Sequence, residues 1–121
     1  MFVEDGEPGG NTVLRIAGSV KIGETGREFE QSLERVASER TGALVLDLSD
    51  LEYMDSTVVG VLVGALHRLK GEGRELVLVN PRERIASLLR TAKLDSLFEI
   101  YGSVSEALGS IANKESDTGV T

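Results

Sequence analysis

The sequence predicts an α/β fold: a single domain with one sheet of about four to five mostly parallel strands, an edge N-terminal strand and about four flanking helices. Three observations predict it. The chain has 121 residues, which suits one hydrophobic core but not two. Segments with strand-like apolar patterns alternate with segments of helical periodicity. Repeated strand–helix–strand units build largely parallel sheets with right-handed crossovers.

Short apolar segments bounded by turn residues are expected to be strands, and longer amphipathic segments to be helices. The predicted strands are residues 2–3, 12–16, 43–48, 76–79 and 98–101. The predicted helices are residues 25–39, 56–70, 82–91 and 103–112. Residues 51–55 are expected to be a connection and residues 114–121 a frayed polar tail, so the core is placed in residues 12–112.

The segment 56–70 is ambiguous, because its many β-branched residues lower the helix propensity. Its length and the helical spacing of its apolar residues favour a helix. Gly60 and Gly64, four residues apart, are interpreted as a flat lane for close packing. Gly71 is expected to follow the last helical residue as a C′ glycine.

Composition limits the classes of function. Acidic residues outnumber basic ones by 20 to 13, and the net charge of −7 disfavours nucleic acid as a partner. The chain has no cysteine, so neither a disulfide framework nor a thiolate zinc site is expected. No signal peptide is recognisable, and the longest nearly apolar stretch, residues 58–66, is about half as long as a transmembrane helix. These features predict a soluble cytoplasmic protein without direct membrane insertion.

The most informative segment follows the predicted interior strand, where functional sites gather in such sheets. Asp55 is a suitable N-cap for the next helix, which puts the hydroxyls of Ser56 and Thr57 in its first turn. Spacing alone favours a capping cluster with no other role. The alternative is a regulated hydroxyl, since a phosphate there meets the positive end of the helix dipole and adds about −1.5 to −2 charges. That charge would repel a docked partner without any refolding.

Neither an active site nor a metal site is expected. A Ser or Thr nucleophile needs a base within hydrogen-bond reach. The only histidine, His67, lies ten residues after Thr57 on the same predicted helix, about 15 Å away. Asp47, Asp50 and Asp55 resemble the acidic pocket of a phosphoacceptor receiver domain, but that pocket also needs an acidic pair after the first strand, which is absent. The sequence predicts no catalytic residue, no cofactor and no bound metal.

Two stretches resemble the signature of the STAS family. They read LVLDLS at residues 44–49 and YMDSTVVGVL at residues 53–62, where family members typically read Val-Leu-Asp-Leu, a short gap and Asp-Ser-Ser/Thr/Ala-Gly-Leu-Gly. Residues 71–97 are similar to the family's later strand and helix end. The resemblance covers about residues 12–112. It implies a single STAS domain over residues 1–121, of the anti-sigma-factor antagonist type.

The resemblance also implies a function. Thr57 matches the family's phosphoacceptor, with Ser56 as the alternative. The unphosphorylated chain would bind an anti-sigma factor that is also a serine/threonine kinase, phosphorylation would end that binding, and a PP2C-type phosphatase would restore it. The chain would be a substrate of these enzymes and not an enzyme itself. The residues expected to bind the partner are Lys21, Tyr53, Met54, Asp55, Ser56, Thr57, Val58 and Val59.

Two positions depart from the family pattern. Val58 stands where the family has a glycine, and its bulk in the first helical turn is expected to slow a kinase or narrow its choice. Lys21 replaces an acidic residue, which changes the charge beside the proposed site and indicates a different partner. Two other functions fit the same resemblance, a STAS subunit of an ABC-type lipid transporter and a scaffold component of a stressosome-like complex. Homodimer formation is a further option that the sequence leaves open.

Overall fold

The computed structural model describes residues 2–6 and 10–118 and joins five strands in one sheet, whose spatial order follows the chain. The strands are β1 (Phe2–Gly6), β2 (Thr12–Val20), β3 (Leu44–Met54), β4 (Leu76–Val79) and β5 (Glu99–Tyr101). The helices are α1 (Glu24–Glu39), α2 (Ser56–Gly71), α3 (Glu83–Thr91) and α4 (Val104–Thr118). The predicted α/β fold is therefore confirmed.

The sheet is mixed, with β1 as its antiparallel edge strand. β1 pairs with β2 in antiparallel register, from Phe2 opposite Ile16 to Gly6 opposite Thr12. The remaining pairs, β2–β3, β3–β4 and β4–β5, are parallel, and a helix connects the two strands of each pair. Parallel neighbours need such crossovers. Their carboxyl ends therefore lie along the same edge of the sheet.

The side chains of β3 divide between two cores because successive residues point to opposite faces. Leu44, Leu46 and Leu48 pack with the buried residues of α1, α2 and α3 in the larger core. Val45 faces the other way and packs with Ala107 and Ile111 of α4. Burial on both faces explains why this strand reads as a nearly continuous apolar run.

Helix α2 forms despite its β-branched residues because one of its faces is buried. Its buried residues are Val58, Val59, Leu62, Leu66 and Leu69. The expectation that Gly60 and Gly64 form a packing lane is wrong, since both are exposed and a Cβ at either would meet no atom within 4 Å. Gly71 is the last residue of α2 and not the residue after it, while Gly73 adopts the left-handed backbone conformation.

The other differences from the prediction concern where elements end. β3 continues to Met54, through most of the predicted connection, because β2 also continues and pairs with it across two register shifts. α4 extends to Thr118, so only residues 119–121 of the expected tail lie outside the described residues. Among the residues that are described, no helix is long and apolar enough to cross a membrane.

Candidate functional site

The carboxyl ends of β2 and β3 lie side by side and bring two loops together. Val20 and Met54, the last residues of these strands, are partners in the parallel register. β2 leads into residues 21–23, which we call the β2–α1 loop. β3 leads into residues 55–57, which we call the α2 entry turn. The segment that the sequence singled out is therefore part of a two-loop surface.

Asp55 links the two loops through both of its carboxylate oxygens. Its Oδ1 accepts a hydrogen bond from the N–H of Val58 at 3.0 Å, which confirms the predicted N-cap of α2. Its Oδ2 accepts a hydrogen bond from the N–H of Ile22 at 2.7 Å. These two bonds lower the pKa of Asp55 below its usual range, and the bond from Ile22 has the larger effect. Asp55 is therefore ionised at neutral pH and ties the β2–α1 loop to the start of α2.

Ser56 and Thr57 are exposed in the first turn of α2. The backbone N–H groups of a first helical turn have no partner within the helix, and the helix dipole places its positive end there. Both hydroxyls are thus accessible to another protein, in a place that suits negative charge. Burial of Thr57 in the core would have excluded phosphorylation, and the structure does not bury it.

The eight residues expected to contact a partner fall into two groups. Met54, Val58 and Val59 are at most 9% exposed and belong to the larger core. Side chains packed there cannot contact a docked protein, so the expectation that these three residues bind a partner is wrong. The sequence motif places them beside the two loops, but the strand alternation and helix periodicity turn their side chains inward. The residues that reach the surface are Lys21, Tyr53, Asp55, Ser56 and Thr57.

Val58 also acts differently from the expectation based on the family glycine. Its side chain is buried and lines a small internal gap with Ile16, Phe29 and Leu62. The bulk that valine adds therefore fills the core beneath α2. The surface that a kinase would approach is formed by its exposed neighbours, so the steric reason to expect slower phosphorylation does not hold.

The entry turn offers accessible hydroxyls, and the histidine of the chain lies far from them. His67 is exposed toward the other end of α2, about 15 Å along the helix axis from Thr57. Nothing in the described ranges 2–6 and 10–118 brings three or more His, Asp or Glu side chains close enough to hold a metal ion. The turn presents the exposed residues Ser56 and Thr57 to an approaching molecule.

Sequence analysis missed Ile22, whose side chain is 72% exposed in the β2–α1 loop. The only local signal is an isoleucine outside any periodic segment, and single exposed apolar residues are common on protein surfaces. Its hydrogen bond to Asp55 spans 33 residues of sequence. That contact depends on the pairing of β2 with β3, so local patterns give no indication of it.

Comparisons with known proteins agree with the motifs. The sequence model of the STAS domain family matches residues 3–107. Over 88 residues the chain is 33% identical to the anti-sigma-B factor antagonist of Listeria monocytogenes, which covers 73% of this chain and 77% of the relative. A Thermotoga maritima protein provisionally named an anti-sigma factor antagonist is 35% identical over 71 residues, 59% of this chain. The matched part spans 63% of that relative's length.

Solved structures share the fold. The crystal structure of a Thermotoga maritima protein, also provisionally named an anti-sigma factor antagonist, superposes with a TM-score of 0.84 at 26% identity, covering 92% of this chain and 94% of that one. SpoIIAA, a cell fate determinant of Bacillus, superposes in its phosphorylated form with a TM-score of 0.74, covering 92% of this chain and 99% of SpoIIAA. Its identity is 16%, so this likeness concerns the fold alone.

Proposed function

The chain belongs to the STAS domain family, and from this premise we propose that it is an anti-sigma-factor antagonist switched by phosphorylation of Thr57. The unphosphorylated protein binds an anti-sigma factor through the α2 entry turn and the β2–α1 loop. Phosphorylation of Thr57 ends the binding. The chain is then a regulatory binding protein whose phosphorylation is controlled by separate enzymes.

The observation that carries this proposal is the position of Thr57. Its side chain is exposed in the first turn of α2, at the residue that matches the family's acceptor position. The turn is held by the N-cap bond from Val58 to Asp55 at 3.0 Å, so the hydroxyl is presented on an ordered backbone. The Listeria relative, at 33% identity over 73% of this chain, is named an anti-sigma-B factor antagonist, which supports the same class of partner.

Electrostatics explain how one phosphate can act as a switch. A phosphate on Thr57 lies at the positive end of the helix dipole, so the fold tolerates it. It adds about −1.5 to −2 charges to a surface that a partner must desolvate in order to dock. Binding is lost because an ion would have to be buried in the interface, and no rearrangement of the sheet is needed.

The partners follow from this chemistry. We propose that the anti-sigma factor is itself a serine/threonine kinase that transfers the γ-phosphate of ATP to the Thr57 hydroxyl, and that a PP2C-type phosphatase hydrolyses the phosphoester. ATP then belongs to the kinase, and the chain itself needs no cofactor. The exchange takes place in the cytoplasm, where sigma factors and ATP are found.

Two substitutions of Thr57 test the proposal against the purified anti-sigma factors of the host bacterium, assayed one at a time. Thr57→Ala removes one exposed hydroxyl, so folding and binding are retained and phosphate incorporation is lost. Thr57→Glu places a carboxylate on the surface and weakens binding by roughly tenfold or more. Titration calorimetry measures the affinity, and mass spectrometry locates the phosphate.

The matched control is Thr41→Glu. Thr41 is exposed before β3, at the opposite end of that strand from the entry turn, so this variant adds the same charge away from the site. Its affinity should equal that of the unsubstituted protein. Phosphate found on Ser56, or equal affinities of the two glutamate variants, would show that Thr57 is not the switch.

A further inference from the structure

Ile22 is a large apolar residue on the protein surface. With 72% of its surface exposed, it is more exposed than Ile100 at 41% or Tyr53 at 40%. It lies in the β2–α1 loop, beside the turn that carries Thr57. Because most of its surface is exposed, Ile22 gains less from folding than a buried isoleucine does. Single exposed apolar residues are common, so exposure alone assigns Ile22 no role, and the case for one depends on how its loop is held.

The loop that carries Ile22 is held firmly. The N–H of Lys21 donates to the hydroxyl of Thr25 at 3.1 Å, and the carbonyl of Lys21 accepts from the N–H of Gly26 at 2.8 Å. A Cβ at Gly26 would lie 2.6 Å from that carbonyl oxygen, so the loop needs a glycine behind it. The side chain of Ile22 is therefore presented on ordered backbone, which reduces the entropy that binding must remove.

The same carboxylate fixes Ile22 relative to Thr57. Asp55 accepts from the N–H of Ile22 at 2.7 Å and from the N–H of Val58 at 3.0 Å, so it joins the loop to the first turn of α2. A protein that docks on Thr57 thus meets Ile22 at a fixed position on the same surface. This continuity identifies the occupant of the Ile22 surface as the partner that reads Thr57.

We propose that Ile22 is an affinity anchor, which the anti-sigma factor covers with an apolar pocket next to its contact with Thr57. The inference rests on the proposed function and adds to it the residue that supplies binding strength. An apolar side chain presented on a rigid loop and covered on binding has the properties of an interface hot spot. Its proximity to Thr57 also makes the switch effective, because a phosphate beside the anchor hinders the removal of water on which the apolar contact depends.

The test compares two isoleucines in the purified full-length protein. Ile22→Ala removes the anchor, and Ile100→Ala removes a 41% exposed isoleucine from β5, at the far edge of the sheet. Binding to each purified host anti-sigma factor is measured by surface plasmon resonance. Ile22→Ala should weaken binding by roughly tenfold or more, mainly through faster dissociation. Ile100→Ala should bind as the unsubstituted protein does. Ile22→Leu, which keeps the apolar volume, should retain most of the affinity.

Thermal unfolding is measured for all three variants. The melting temperature of Ile22→Ala should equal that of the unsubstituted protein, because the side chain of Ile22 is exposed. If Ile22→Ala binds as tightly as the unsubstituted protein while Thr57→Glu binds weakly, the anchor is wrong and the proposed function stands. Equal losses in Ile22→Ala and Ile100→Ala would also overturn the anchor. If the unsubstituted protein binds none of the anti-sigma factors, both proposals fall together.

Discussion

The two ends of helix α2 are built in different ways. At its C-terminal end, charged side chains connect neighbouring elements: Arg68 pairs with Glu34 of α1 at 2.6 Å, and Arg74 donates to the carbonyl of Ala37 in α1 at 2.9 Å. At its N-terminal end, one carboxylate holds two backbone N–H groups, and the side chains of Ile22, Ser56 and Thr57 are exposed beside it. Asp55 is held there by the backbone N–H groups of Ile22 and Val58.

This difference separates stability from recognition. The C-terminal end uses the side chains of Arg68 and Arg74 within the molecule, where they join it to α1 and to the chain before β3. The N-terminal end is ordered through the backbone, which leaves the side chains of Ile22, Tyr53 and Thr57 exposed on a fixed frame. A surface that must bind and then release a partner benefits from this arrangement, because it is ordered before binding and its contacts remain free.

The largest expected effect on stability comes from Arg74, at the C-terminal end. Its side chain is 10% exposed and donates to the carbonyls of Gly42 and Ala37, each at 2.9 Å. Arg74→Ala leaves both carbonyls without their charged donor and loosens the junction of α1, β3 and α2. We expect a loss of about 2 to 4 kcal/mol in the free energy of unfolding. Urea denaturation measures it.

Arg90→Ala is the matched control for that prediction. Arg90 pairs with Glu83 at 2.6 Å on α3, but both side chains are more than half exposed, so the loss should stay below about 0.5 kcal/mol. Folded Arg74→Ala should still bind the anti-sigma factor with unchanged affinity, because its substitution is remote from the α2 entry turn. If Arg74→Ala and Arg90→Ala lost similar amounts of stability, the buried hydrogen bonds of Arg74 would be no more stabilising than the exposed ion pair of Arg90.

The middle of α2 shows what the sequence could and could not predict. The spacing of Val58, Leu62 and Leu66 indicates a helix with one buried face, and that face is observed. The same spacing places Gly60 and Gly64 on the opposite, solvent-facing side, although their four-residue separation by itself predicts a packing motif. The periodicity was the better guide, because it reports the face that the sheet buries.

A smaller effect of opposite sign is expected from these glycines. A Cβ at Gly60 or Gly64 would meet no atom within 4 Å, so alanine fits without displacement. Each Gly→Ala substitution should raise the free energy of unfolding by about 0.5 to 1 kcal/mol, because alanine loses less backbone entropy in a helix. Urea denaturation of the single and double variants measures the gain, which should be additive.

Gly26→Ala provides the contrasting control for these substitutions. It makes the same chemical change in α1, where the new Cβ would lie 2.6 Å from the carbonyl oxygen of Lys21, so it should destabilise the protein. A loss of stability on substituting Gly60 or Gly64 would mean that another part of the chain packs on this face.

The link between Asp55 and Ile22 lies beyond what the sequence could predict. The N-cap role of Asp55 follows from its place before an apolar helical segment, and it is observed. Its second bond requires β2 and β3 to be neighbours whose ends coincide, which results from strand pairing and two register shifts. Local patterns predict single elements well, whereas the functional surface depends on how two elements meet.

Substitution of Asp55 should alter the surface most specifically, because its carboxylate joins the two loops. Asn is as good an N-cap as Asp but has one acceptor oxygen, so Asp55→Asn should keep the bond to Val58 and lose the bond to Ile22.

The lowered pKa of Asp55 predicts how the link responds to acid. The ionised carboxylate stabilises the folded protein fully at pH values above the usual Asp pKa of about 3.9. This stabilisation is lost as the pH falls through the lower pKa that Asp55 has in the folded protein. The amide proton of Ile22, followed by NMR during acid titration, should shift at that lower pH, and in Asp55→Asn it should not titrate. The amide of Lys21, which donates to the Thr25 hydroxyl at 3.1 Å, should remain insensitive in both proteins. An Ile22 amide that does not respond to acid would show that the two loops are not joined through this carboxylate.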